Sequence, residues 1–135
     1  MIQNRLRIRV WDKRKNKYVK KFVVNFVNKS PYMTVEYFDN EYAYTHTFEE
    51  YEIIIEQCTG LKDKNGKLIY EGDLIKEPAN KYPLEIYYDK GAWLTREYRK
   101  NGNNEQLLYV LINCYGVEVI GNIHKNHDLL EIVDE

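Results

Sequence analysis

Residues 57–76 have the sequence QCTGLKDKNGKLIYEGDLIK, in which two tight-turn signals separate short apolar runs. Asn65-Gly66 is the first signal, since both central positions of a type I′ turn need a positive φ. Glu71-Gly72-Asp73 is the second signal, and it predicts a turn before a strand at Leu74–Lys76. This pattern predicts short antiparallel strands joined by tight turns.

The residues after this stretch continue the β pattern. Apolar residues predict strands at Leu84–Asp89 and Trp93–Tyr98, joined through Lys90-Gly91, and a further strand at Val117–Ile123. A Gly-Asp turn that starts a strand, followed by a later turn and a tryptophan, is typical of a small SH3-like barrel. We therefore expect Trp93 to anchor the core of such a barrel.

Two short helices are predicted in this C-terminal part. Residues 105–113 carry four aliphatic side chains that fit one helix face, namely Leu107, Leu108, Leu111 and Ile112. Asn126 is expected to cap a final helical turn through Leu129 and Leu130.

The N-terminal part begins with a strictly alternating segment, RLRIRVW at residues 5–11. Period-two alternation is typical of a half-buried strand, here with three aliphatic residues on one face. The other face carries Arg5, Arg7, Arg9 and Trp11. A polar turn at 12–17 and an apolar run at 18–27 predict that the strand continues into a hairpin.

The whole pattern predicts a mainly β fold, or α+β at most, in a single domain over residues 1–135. A weak boundary divides this domain into an N-terminal β part at 1–58 and an SH3-like barrel part at 59–135. One or two short helices complete it. The remaining predicted strands lie at 33–38, 42–47 and 53–58, the first two around the turn Asp39-Asn40-Glu41.

The composition agrees with this fold class. The chain has 135 residues, 44% hydrophobic and 30% charged, which is typical of a soluble globular protein. Thirteen tyrosines against three alanines favour strands over helices. No apolar run approaches the roughly 18 residues of a transmembrane helix, and the start lacks a signal-peptide pattern. We therefore expect a cytoplasmic protein that does not contact a membrane.

Charge is unevenly distributed, although the net charge is −1. Residues 1–21 contain nine bases and one acid, whereas residues 22–60 contain one base and seven acids. Bases interleaved with an aromatic ring can hold phosphates and stack on nucleobases. The candidate nucleic-acid or partner face consists of Arg5, Arg7, Arg9, Trp11, Lys13 and Arg14. The alternative is that these bases pair with the acidic block and that the tryptophan belongs to the core.

Motifs for catalysis, cofactors or metals are incomplete in this sequence. No glycine-rich segment has the spacing of a phosphate-binding loop. His124 and His127 supply two ligands where zinc needs three or four. Cys58 and Cys114 lack the spacing of a paired motif, and the single serine, Ser30, argues against serine-nucleophile chemistry. We therefore expect no catalytic residue, no cofactor and no metal, and a protein that is not an enzyme.

Three segments resemble the YopX family of phage and prophage proteins. They are the opening strand RIRVWDK at 7–13, the central stretch at 57–73, and the closing strand VEVIGNI at 117–123 with Asn126 and Leu129-Leu130 after it. The resemblance spans nearly the whole chain, although His127 stands where the family usually has proline. It implies a mainly β or α+β fold and a phage or prophage origin. It implies no established activity, so no catalytic residue is carried over.

Three functional hypotheses follow. The first is a phage- or prophage-encoded protein of the host cytoplasm that binds or assembles without enzymatic activity, as a homo-oligomer, since aromatic residues are enriched at interfaces. The second is a nucleic-acid-binding module that uses the basic N-terminal strand, with Arg5, Arg7, Arg9 and Trp11, together with the segment Lys13–Lys21. The third is an inhibitor that docks on a host protein through the acidic region 36–56, with Glu49, Glu50 and Glu52 in contact.

Overall fold

The computed structural model describes residues 7–19, 22–26, 32–39, 42–49, 53–80, 82–99 and 102–130. The described residues contain the α-helix α1 (Leu108–Cys114), and a 3-10 helix follows at His127–Leu130. The mainly β fold predicted from the sequence is confirmed. The strands of the described residues are β1 (Ile8–Asp12), β2 (Lys17–Tyr18), β3 (Phe22–Phe26), β4 (Tyr32–Asp39), β5 (Tyr42–Glu49), β6 (Ile53–Lys62), β7 (Leu68–Tyr70), β8 (Asp73–Lys76), β9 (Leu84–Asp89), β10 (Ala92–Arg99), β11 (Gly102–Leu107) and β12 (Glu118–Asn122).

The chain forms two compact units. One unit is Ile8–Glu56, and the other is Gln57–Glu135 together with Met1–Arg7. Strand β6 runs from the first unit into the second, so the change of unit occurs within a strand. The predicted single domain, with its subdivision after residue 58, stays a prediction.

The unit Ile8–Glu56 contains the β1–β2 hairpin and a three-stranded antiparallel sheet of order β3-β4-β5. Strands β4 and β5 pair along their whole length, as predicted for 33–38 and 42–47. The single predicted strand at 18–27 is wrong. Strand β2 is two residues long, the Val19 N–H donates to the Val10 carbonyl at 2.9 Å, and β3 then pairs with β4.

The unit that contains Gln57–Glu135 is built on an antiparallel sheet of order β11-β10-β9-β8-β12. Alternate residues of a strand point into the core, as Leu84 and Ile86 of β9 do. Trp93 of β10 packs against the core cluster, as predicted, whereas an SH3-like barrel for this unit stays a prediction. The buried cluster comprises Ile69, Ile75, Leu84, Ile86, Leu108, Leu111 and Val117.

Helix α1 contributes Leu108 and Leu111 to this core. The predicted position of Leu107 on the same helix face is wrong, because Leu107 ends β11 opposite Leu94 and its side chain is exposed. Strand β11 itself is not predicted by the sequence. Its Gly, Asn, Gln and Glu residues are weak strand formers, and pairing with β10 overrides that preference.

The turn at Asn65-Gly66 is of a different type from the predicted one. Gly66 has a φ of 81°, whereas the φ of Asn65 is not positive. The Gly66 N–H donates to the Asp63 carbonyl at 3.0 Å, and the Asp63 N–H donates to the Lys67 carbonyl at 2.8 Å. This is a longer hairpin turn that ends with a glycine in the left-handed region.

The end of β12 is held by the side chain of Asn126. Its Oδ1 accepts the N–H of Asn122 at 3.2 Å, so this side chain does not cap the following helical turn as predicted. A β-carbon on Gly121 would overlap the Oδ1 and Cγ atoms of Asn126. The lack of a side chain at position 121 therefore makes room for this hydrogen bond.

Gly121→Ala is expected to lower the free energy of unfolding by about 2 kcal/mol, because the added methyl group must displace Asn126. Asn126→Ala alone is expected to cost about 1 kcal/mol through the lost hydrogen bond. In the Asn126→Ala background only the Cβ of residue 126 remains close, at 3.0 Å, so Gly121→Ala should cost much less there than in the unmodified chain. A urea-denaturation cycle measures this coupling, and an equal loss for Gly121→Ala in both backgrounds would contradict it.

Candidate functional site

The candidate basic residues lie on the β1–β2 hairpin. The buried carboxylate of Asp12, opposite Lys17 in the strand register, shapes the turn. Its Oδ1 accepts the backbone N–H of Arg14 at 2.9 Å and that of Lys15 at 3.3 Å. Aspartate commonly closes turns in this way. All residues of the turn segment 13–17 are exposed.

At the base of the hairpin, Arg9 forms an ion pair with Glu56 of β6. The Arg9 Nε lies 2.8 Å from the Glu56 Oε1, and the two side chains are 20% and 2% exposed. The hydroxyl of Tyr18 donates to the same Oε1 at 2.8 Å. The Arg9 guanidinium also lies 4.6 Å from the centre of the Tyr18 ring. At Arg9, therefore, the structure shows the alternative in which a base of the N-terminal block pairs with an acid.

Trp11 belongs to the interior of the same unit. It is 4% exposed, and its ring meets the ring of Tyr18 edge to face, with 4.9 Å between the centroids. A buried indole is not accessible for stacking on a nucleobase. Here the structure agrees with the alternative in which the tryptophan is a core residue.

The candidate face is therefore divided. Arg9 and Trp11 are directed inward, whereas Arg7, Lys13 and Arg14 are exposed, and Arg5 lies outside the described residues. Arg7 belongs to the other compact unit, where its carbonyl accepts the Cys58 N–H at 2.8 Å. Lys15 and Lys17, which the nucleic-acid hypothesis includes through the range Lys13–Lys21, are exposed in the same turn. Nucleic-acid binding by this face stays a prediction.

The inhibitor hypothesis proposes that the acidic region 36–56 contacts a host protein. Glu50 and Glu52 lie outside the described residues, and Glu49 ends β5. Glu56 is buried against Arg9 and Tyr18, so it is not available to a partner. Docking on a host protein through this region stays a prediction.

Asp63, in the central stretch, holds three backbone N–H groups. Its Oδ1 accepts those of Asn65 and Lys67 at 2.9 Å each, and its Oδ2 accepts that of Val119 at 3.0 Å. Burial raises the pKa of Asp63, but these hydrogen bonds and the positive charge of Lys67 outweigh burial and hold the pKa below 3.8. Asp63 thus joins the hairpin turn to β12 and is a structural residue.

A second exposed feature lies along α1. Tyr109 and Tyr115 are 65% and 63% exposed, and Leu107 and Val110 are also exposed. The helix sequence LYVLINC contains no charged residue. A surface helix usually carries charged residues on its solvent side, whereas the exposed side chains here are apolar or aromatic. The sequence analysis described only the aliphatic face of this segment, although the missing charges could have indicated that the outer face is apolar as well.

The other side chains considered for chemistry remain separate. Among the described residues, no group of three or more His, Cys, Asp and Glu side chains is placed to hold a metal ion. Cys58 is buried, Cys114 is exposed, and both are free thiols. No helix formed by the described part of the chain has the length and apolarity required to cross a membrane.

Comparison with known proteins identifies the family. The family model described as YopX protein matches residues 7–131. The chain is also similar to protein EF1440 from Enterococcus faecalis, a crystal structure with 26% sequence identity and a TM-score of 0.59, over 92% of this chain and 96% of that one. No curated protein matches the chain. The family match covers both compact units, and the chain belongs to the YopX family.

Proposed function

We propose that this protein is a non-enzymatic binding or assembly protein, encoded by a phage or prophage and acting in the host cytoplasm as a homo-oligomer. The resemblance of its motifs to phage and prophage proteins supports the proposed origin. The exposed apolar side of α1 is the observation that carries the binding role.

The use of the buried carboxylates supports a role without catalysis. Asp12 and Asp63 accept backbone N–H groups, and the Oδ2 of Asp73 accepts the N–H of Tyr70 at 2.8 Å. Glu56 is engaged by Arg9. Each of these carboxylates stabilises a turn or a strand, which is the ordinary role of a buried, hydrogen-bonded acid.

A second copy of this chain is the partner that we propose for the α1 surface, defined as Leu107, Tyr109, Val110 and Tyr115. Aromatic residues are enriched and charged residues depleted at the centre of protein interfaces, which is the composition found here. A two-fold contact brings the same patch together from both copies, so one surface suffices.

The area of this surface sets the strength of the contact. Burying its two tyrosines and two aliphatic side chains would remove on the order of 400 Å² per copy from water, given about 150–250 Å² for a whole aromatic side chain. The total of about 800 Å² lies below the roughly 1,200 Å² of stable interfaces. We therefore expect a weak, concentration-dependent dimer.

Light scattering tests this proposal. The apparent mass should rise above the monomer mass of 16.3 kDa as the concentration increases. Tyr109→Lys should hold the mass at the monomer value, because it places a charge at the centre of the contact. Ile120→Lys is the matched control, since Ile120 is an exposed apolar residue of β12, at the other edge of the sheet from β11. A constant monomer mass for the unmodified chain would overturn the proposal.

A further inference from the structure

We propose that the β1–β2 turn is a contact site for the phosphate backbone of duplex DNA, made by Lys13, Arg14, Lys15 and Lys17. This inference goes beyond the self-association proposed above and uses a different surface. In this proposal the contact is made by the turn, and not by the outer face of the alternating segment at residues 5–11.

The turn concentrates positive charge at one exposed place. Residues 13–17 contain four bases, one asparagine and no acid, and all five are exposed. The acid of the hairpin is Asp12, which is buried and lies 3.7 Å from the Arg14 Nε. The segment 12–17 has a net charge of +3 in the sequence, and an exposed group of bases attracts phosphates.

The turn also has a fixed shape. The Asp12 carboxylate holds the N–H groups of Arg14 and Lys15, and β1 lies between β2 and β6 in its sheet. At the base, Arg9 is bound to Glu56 and Tyr18. The bases are therefore presented on an ordered hairpin turn, so little ordering is needed when a ligand binds.

The chemistry of the turn favours DNA over other polyanions. Only the turn end of the hairpin has to enter a groove, and the major groove of B-form DNA, which is about 12 Å wide, admits two antiparallel strands. The major groove of duplex RNA is too deep and narrow for side chains to read. A membrane-binding segment carries apolar side chains that insert into lipid. Residues 13–17 have none, and Trp11 is buried in the protein core.

Salt-dependent binding to duplex DNA of arbitrary sequence tests the proposal. Fluorescence anisotropy with a labelled duplex, between about 50 mM and about 200 mM salt, gives the slope of log K against log salt. Four phosphate contacts predict a slope of about −3 to −4 and weak, sequence-independent affinity. Lys13→Gln and Lys17→Gln should each reduce the slope by about one, and the fourfold Gln variant of the turn should abolish binding.

The matched control removes four positive charges from residues outside the turn. Gln at four exposed lysines of the other unit, Lys62, Lys76, Lys90 and Lys125, should leave the slope unchanged. Thermal unfolding of both fourfold variants shows that they fold. Equal losses in both variants, undiminished binding by the turn variant, or stronger binding to anionic vesicles or duplex RNA than to DNA would overturn the proposal. None of these outcomes affects the light-scattering test of self-association.

Discussion

Asp63→Ala is expected to lower the free energy of unfolding by about 3 kcal/mol, because hydrogen bonds to a charged group contribute about 1.5–3 kcal/mol each and are not additive. The substitution removes the acceptor of three backbone N–H groups, those of Asn65, Lys67 and Val119. The hairpin turn and its attachment to β12 should loosen together. Urea denaturation that follows Trp93 fluorescence, in a Trp11→Phe background, reports on this unit.

Asp63→Asn separates the charge of this residue from its shape. The folded pKa of Asp63 lies below 3.8, so the stabilisation from its carboxylate is fully present above that value and is lost as the pH falls through the folded pKa. The difference in unfolding free energy between the unmodified chain and Asp63→Asn should therefore be largest near neutral pH. It should shrink as the pH falls below about 4. A difference that is independent of pH would show that the carboxylate charge does not stabilise the turn.

Glu56→Ala is expected to destabilise the unit Ile8–Glu56 by about 2–3 kcal/mol. Breaking a buried ion pair by removing one partner costs about 3–5 kcal/mol, and the partial exposure of Arg9 reduces this cost. The variant also removes the acceptor of the Tyr18 hydroxyl. Trp11 contacts the Tyr18 ring, so its fluorescence in a Trp93→Phe background follows the unfolding of this unit in urea.

Two further variants apportion this effect. Glu56→Gln keeps an acceptor for Tyr18 and removes the charge, so it should lose less stability than Glu56→Ala. Tyr18→Phe removes one hydrogen bond and should cost about 1 kcal/mol. If Glu56→Ala unfolded at the same urea concentration as the unmodified chain, the cluster of Arg9, Glu56 and Tyr18 would have no stabilising role.

Local patterns in the sequence predicted much of the fold. Strands β4, β5, β9 and β10 were predictable because turn residues and strand-forming side chains act on their immediate neighbours. Strand β11 was not, because its polar residues become a strand only by pairing with β10. The type of the central turn also escaped prediction, since the Asp63 side chain is hydrogen-bonded within it.

The candidate site shows the same division. The excess of bases at the N-terminus is visible in the sequence, and so is the polar turn that carries four of them. Alternation along residues 5–11 placed Arg9 and Trp11 on one outer face, but the structure directs both inward. A prediction from period-two alternation assumes that one face of the strand is open to solvent. This assumption fails at the end of β1, which is buried on both faces.

The mainly β class, the family and the uneven charge can be recognised without a structure, because composition, turn residues and motifs are properties of neighbouring positions. Which of the bases remain exposed depends on contacts between distant parts of the chain. Glu56 is 47 residues from Arg9 along the chain, and folding brings the two within 2.8 Å. Pairing over that separation depends on strand order, which local patterns do not encode.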